Sequence, residues 1–396
     1  MTLQKRLVLA ILSLALPVSL GAFSMDMVLP VLPEMARALS LTPGQIQWIL
    51  NLFVLSFALC HLLVDPMADR MGVYFLFVAA AVGYAASSVC IGLSSSYALI
   101  LFLRVVQALA ACTTLVLSMA LITQTFHSSY VTRGHTILSG VTSLGPLLAP
   151  IAGAAIITAG GSWRSIFFTL GLAGCAVFIL FIRRGKVFRW HAEEEAPQQG
   201  YGKIAASPYF WRYAIYASTG MWWIFIFFSS MPFIVYSIYD QGVWALSLVF
   251  LAASVCFLAG GFLSTHFLRR ISQGRLFDRC IIIQLALSAV LLLTARTLPV
   301  PFPVFIGWIM LMQLNCGVYF GPAISTALQG FSESPVAATA LQGFQQYAST
   351  FLIAGGVLIV FGRTVTDLGV MLLIVTALSA CIGLFIKRRY GVEATM

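Results

Sequence analysis

LVLAILSLALPVSLGAFSMDMVLPVLP, residues 7–33, is an apolar run broken by one charge, Asp26. A helix crosses the hydrocarbon core of a bilayer when about 20 consecutive residues are mostly apolar, so this run reads as a membrane span. A carboxylate at membrane depth costs a few kcal/mol and is tolerated where it faces a cavity or a partner. Asp26 is therefore read as a working residue; the alternative is a neutral, hydrogen-bonded core acid.

The rest of the chain fits the same solvent. Hydrophobic residues make up 60% of it and charged residues 9%, with a mean hydropathy of +0.98. That balance excludes a water-soluble globular fold. Between charged or Pro/Gly-marked breaks lie twelve candidate spans: 7–33, 45–68, 73–95, 97–124, 135–159, 164–182, 209–236, 243–268, 276–295, 301–330, 335–361 and 367–386. The fold class is an all-α integral membrane protein of twelve transmembrane helices.

Lys and Arg collect in alternate connections, and cytoplasmic loops hold that excess. With the N-terminus inside, only Arg37, Arg164, Arg296 and Arg363 fall on the far side, and both termini are cytoplasmic. The net charge of +10 then suits anionic inner-leaflet lipid and calls for no nucleic acid. Lys5 and Arg6 before an apolar stretch mimic a signal peptide, but the stretch is too long and no small-residue cleavage site follows, so it is expected to be retained.

One long polar interruption, RRGKVFRWHAEEEAPQQGYGK at 183–203, divides the spans six and six. The expected organisation is a six-helix bundle over 1–183, a cytoplasmic linker over 184–207 and a second bundle over 208–396. Equal halves suggest an internal duplication, with binding near the bilayer midplane. The eight cysteines show no C-x-x-C pair, and His127 and His135 belong to no metal pattern, so no metal site is expected. No G-x-x-x-x-G-K-[ST] phosphate loop is present, which leaves an ion gradient as the energy source, with no cofactor and no enzymatic activity expected.

Arg104 is the basic residue well inside an apolar segment, SSSYALILFLRVVQALAACTTL. At about 1.5 Å per residue, Asp26 lies roughly 12 Å and Arg104 roughly 10 Å from the outer ends of helices one and four. Comparable depth raises two readings: a proton switch whose charge depends on the distance between them, or a static ion pair that fixes packing.

These blocks resemble the drug:proton antiporters of the major facilitator superfamily, most closely the bicyclomycin/chloramphenicol-resistance group, and the resemblance spans all twelve helices. MDMVLPVLP at 25–33 resembles that group's acid and proline-bounded turn, which implies proton coupling for Asp26. LRVVQA at 103–108 resembles the R-x-x-Q-G block; it implies a coupling role for Arg104 and a supporting polar role for Gln107, with Ala108 replacing the usual glycine. Gly140 together with Gly145, Pro146, Pro150 and Gly153 resembles the helix-five antiporter block, where glycine permits close contact and proline a kink. WRSIFF at 163–168 is a further block of this kind.

The loop between helices two and three, DPMADRMGVYF at 65–75, departs from the family. Asp65 stands where glycine is usual, and Val73 and Tyr74 stand where a basic pair is usual, while Asp69, Arg70 and Gly72 keep the pattern. A cytoplasmic gate built on Asp65, Asp69, Arg70 and Gly72 is the expectation. Candidate substrate contacts are Tyr216, Trp222 and Trp223 in helix seven and Gln345, Gln346 and Tyr347 in helix eleven, where Gln342 also stands, since drug pockets combine apolar walls with a few polar anchors. The resemblance implies a monomer in the bacterial inner membrane that exports small amphipathic compounds such as drugs in exchange for protons, by alternating access. A siderophore or metabolite exporter, a proton-coupled importer and a non-transporting sensor remain as rival readings.

Overall fold

The computed structural model describes residues 3–125, 134, 137, 138, 141, 145–184, 201–331, 334–360 and 364–391. Among them are helices and short turns and no strand, as hydrocarbon demands of a spanning chain that must satisfy its own backbone. Ten helices among the described residues are long and apolar enough to cross a membrane. The chain divides into two units, Met1–Ala196 and Pro197–Met396.

The first unit holds α1 (Leu3–Asp26), a 3-10 turn (Leu29–Val31), α2 (Leu32–Ala38), α3 (Pro43–Met71), α4 (Val73–Leu93), α5 (Tyr97–Thr125), α6 (Gly145–Thr158) and α7 (Trp163–Arg184). The second holds α8 (Tyr201–Ala205), α9 (Pro208–Ser237), α10 (Val243–Phe267), α11 (Gln273–Thr297), α12 (Phe302–Gln329), α13 (Pro335–Ser349), a π turn (Thr350–Gly355), α14 (Gly356–Val360) and α15 (Val365–Tyr390). The short helix α8 falls inside the interval expected to be linker.

Three boundaries differ from the sequence reading, each for a local reason. The first span is not one continuous helix over 7–33: α1 stops at Asp26 and resumes as α2 after the 3-10 turn. Pro30 explains the stop, because it offers no N–H to the Asp26 carbonyl and its ring crowds the carbonyl four residues back. The expected loop over 65–75 is helical, since α3 runs through Pro66 to Met71 and only Gly72 separates it from α4. Gly72 has φ +81°, which a side chain disfavours, and its N–H bonds the Ala68 carbonyl at 2.8 Å. The eleventh span is one helical run with a π turn in it, a local widening often found at functional positions.

Glycines set the closest helix contacts. In the second unit α10 and α12 meet at Gly260 and Gly317, where a Cβ on either would strike the other helix's backbone, at Leu314 and Phe257. In the first unit Gly171 and Gly174 of α7 lie against Val89, Tyr84 and Ala85 of α4. Cys60, Cys112, Cys280 and Cys316 are buried, and Cys90, Cys175 and Cys381 lie on the outer surface. His127 and His135 lie outside the described residues.

Candidate functional site

The end of α1 is the centre of the first unit's polar interior. Asp26 is 8% exposed, and among the described residues its carboxylate has no hydrogen-bond or ion-pair partner. Arg104, on α5, is fully buried. It does not bond Asp26: its Nε donates to the Ile49 carbonyl (3.2 Å), and its Nη1 donates to the Ser24 carbonyl (3.1 Å) and to Gln107 Oε1 (2.7 Å). Its guanidinium lies over the Phe53 ring at 4.4 Å, and among the described residues Nη2 has no hydrogen-bond partner. The two residues expected to act together thus sit in one region, joined through the backbone two residues before the acid.

Gln107 extends the network by donating from Nε2 to Ser88 Oγ (2.7 Å), and Ser88 Oγ donates to the Tyr84 carbonyl (2.7 Å). Tyr84 returns to α1 through its hydroxyl, 2.5 Å from Ser24 Oγ. Ser24 therefore ties the last turn of α1 to both α4 and α5. The sequence reading did not single out Ser24, Tyr84 or Ser88; the i, i+4 spacing of Tyr84 and Ser88 on one face of α4 was the available signal.

The antiporter-block glycines meet the same segment. A Cβ at Gly145 would overlap Ala22 Cβ, and one at Gly153 would lie 2.6 Å from the Met27 carbonyl oxygen. Pro150 lies inside α6, whereas Gly140 lies outside the described residues and Pro146 is described in its backbone alone. Gly153→Ala is expected to force α6 off the turn after Asp26, lowering stability by about 1–3 kcal/mol and reducing transport. Thermal unfolding of the purified variant, with an efflux assay, checks this; unchanged values would remove the packing argument.

At the start of α7, Trp163 N–H donates to Glu34 Oε1 (3.2 Å), and Arg164 Nη1 caps α4 through the Gly92 (2.8 Å) and Ser94 (2.6 Å) carbonyls. Of the expected cytoplasmic gate, Asp65 is half-buried on α3, Asp69 and Arg70 are exposed on its last turns, and Gly72 is the corner. None of the three charged groups makes an ion pair among the described residues.

The second unit holds a charged cluster that sequence reasoning missed. Asp278, early in α11, accepts from Arg212 Nη2 on α9 with both oxygens (3.1 Å each), from Lys387 Nζ on α15 (3.0 Å) and from the Tyr216 hydroxyl (2.8 Å). This commits Tyr216, expected as a substrate contact, to a charge cluster, and Gly383 leaves room for its ring. Deeper in α9, Trp222 Nε1 donates to Ser349 Oγ (3.0 Å) and Trp223 Nε1 to Thr376 Oγ1 (2.8 Å), while Ser218 Oγ donates to Gln345 Oε1 (2.9 Å). The Gln346 carbonyl accepts from Thr350 Oγ1 at 2.6 Å, and Tyr347 is half-buried. Gln342 is 2% exposed, and among the described residues neither its Oε1 nor its Nε2 has a hydrogen-bond partner.

The chain matches the model of the Major Facilitator Superfamily over residues 14–356 and belongs to that family. It is 25% identical to an uncharacterized MFS-type transporter, YdgK, of Bacillus subtilis over 82% of each chain. It is 26% identical to a bicyclomycin resistance protein homolog of Haemophilus influenzae, over 74% of this chain and 75% of that one. With a chloramphenicol resistance protein of Pseudomonas aeruginosa it shares 29% identity over 60% of this chain and 56% of that one. The latter two carry the names of the group that the sequence blocks resemble. A bacterial homolog of the human lysosomal transporter Spinster superposes with a TM-score of 0.73 over 97% of both chains at 15% identity, a likeness of fold. The protein is therefore a multi-pass membrane transporter of the major facilitator fold, and transporters of this family take small-molecule substrates through the bilayer.

Proposed function

We propose that this protein is a proton-coupled exporter of small, uncharged amphipathic compounds, working by alternating access in the bacterial inner membrane with both termini cytoplasmic. The observation that carries the reading is the buried Asp26 carboxylate with no bonded cation among the described residues. An acid in that position gains or loses a proton without breaking an ion pair. Arg104 is tied to the backbone two residues before Asp26, through the Ser24 carbonyl, and its acceptors do not titrate. Relatives named for chloramphenicol and bicyclomycin resistance support the direction of transport.

The substrate class rests on the second unit. Apart from Arg212, Asp278 and Lys387, which pair with one another, polar side chains along its spans such as Ser218, Thr219, Gln313, Gln342, Gln345 and Gln346 are uncharged amides and hydroxyls. Gln342, with a donor and an acceptor both unmet, is the strongest candidate anchor. Leucine at 342 removes a desolvated polar group, so Gln342→Leu is expected to leave thermal stability equal or higher while raising the transport KM by about tenfold. A KM that stays put while stability rises would exclude Gln342 from the substrate path.

Substrate-induced proton movement in proteoliposomes tests the whole reading, with uncharged antibiotics, lipophilic cations and siderophores added in turn. Proton movement with the uncharged set supports it. A signal restricted to cations or to siderophores would replace the substrate class, and no signal with any compound would end the proposal of antiport.

A further inference from the structure

The crossing of α3 and α5 holds a pair of thiols that the coupling network does not use. Cys60 and Cys112 are both buried and free. Cys60 Sγ donates to the carbonyl of Leu109 (3.2 Å), three residues before Cys112, and Cys112 Sγ donates to the carbonyl of Phe57 (3.5 Å), three residues before Cys60. This reciprocal pattern sets the two sulfurs against each other across the helix crossing. Thr113 Oγ1 lies 3.3 Å from Cys60 Sγ, and His61 Nδ1 lies 3.4 Å from Cys112 Sγ.

We propose that Cys60 and Cys112 form a binding site for a single soft divalent cation that accepts linear two-coordinate ligation, the mercuric ion being the best match. Thiolates select soft ions. No group of three or more His, Cys, Asp or Glu among the described residues is placed to hold a metal ion, which removes ions that demand three or four protein ligands. Charge makes the second selection. Binding forms two metal–sulfur bonds and releases both thiol protons to water, so a divalent ion with two thiolates is neutral overall. The same pair with a monovalent ion would leave a net negative charge in an apolar interior, which is costly. No electron transfer is involved, and no other reactant is needed.

The site lies two helical turns from Arg104 on the same helix, and the cation would pin α3 to α5 beside the coupling network. The test uses the purified full-length protein in detergent with mercuric chloride. After a wash with excess glutathione, which strips mercury from isolated thiols, alkylation in denaturant beside a mercury-free control, followed by peptide mass spectrometry, reports which cysteines the metal protects rather than burial. The expected result is one retained mercury per chain, with Cys60 and Cys112 protected together and the outward-facing Cys90, Cys175 and Cys381 alkylated. Retention should be lost in both Cys60→Ser and Cys112→Ser, whose elution and unfolding temperature report an intact fold. No retained mercury in the wild type, protection of other cysteines instead, or retention that survives either substitution would overturn the proposal. Because the wild-type protection pattern needs no variant, a misfolded mutant leaves the test intact.

Discussion

Asp26→Asn is expected to abolish substrate-induced proton movement and to cut proton-driven accumulation by at least about tenfold, while energy-independent exchange of substrate across the membrane survives. Asparagine keeps the size of the side chain and removes its ability to titrate. The neighbouring anchors do not depend on the carboxylate, because Arg104 bonds the Ser24 carbonyl and the Ser24 hydroxyl meets Tyr84. The fold should accordingly persist. A pH-sensitive dye inside proteoliposomes measures the proton movement, and radiolabelled counterflow measures the exchange. A wild-type proton signal from the variant would move the coupling group elsewhere; loss of exchange together with the proton signal would make Asp26 a residue needed for substrate passage rather than for coupling.

Asp278→Asn is expected to destabilise the protein by about 3–5 kcal/mol, the largest stability effect anticipated from one substitution. The carboxylate is the counter-charge to Arg212, which is fully buried, and to Lys387. Its loss removes the counter-charge of the buried guanidinium. Lys387→Met should cost far less, about 1 kcal/mol or below, because its side chain is 32% exposed and water screens the pair. Unfolding temperatures of the two purified variants test the contrast, and equal effects would show that Asp278 is not the organising charge. The comparison also separates the two buried acids: Asp278 is held by two cations and a phenol, whereas Asp26 bonds no cation among the described residues.

The fold was readable because hydrocarbon leaves few choices. Long apolar runs must be helices, and the distribution of Lys and Arg marks their ends. Asp26 and Arg104 were readable because a charge inside such a run is conspicuous. How they are arranged was not, since Arg104 uses the carbonyls of Ile49 and Ser24, and backbone acceptors carry no residue identity. Asp278 was hidden for another reason. It sits beside Arg275 and Arg279, which read as ordinary loop charge, while its partners lie 66 and 109 residues away in the chain. Tyr216 was read as a substrate contact because an aromatic hydroxyl in a membrane helix suggests one, and only the fold shows the carboxylate that takes it. The end of α1 at Asp26 was recoverable from Pro30, whose ring acts on the residue four positions before it.

The single-residue corner at Gly72 has a mechanical meaning. A loop of several residues would act as slack, letting one helix shift while its neighbour stayed still. With Gly72 alone between Met71 and Val73, α3 and α4 are joined by one residue of chain. One arm ends near Asp65, Asp69 and Arg70; the other carries Tyr84, whose hydroxyl rests on Ser24 two residues from Asp26. A displacement of the charged end would thus be passed to Tyr84, and through its hydroxyl to Ser24, across a single residue of chain.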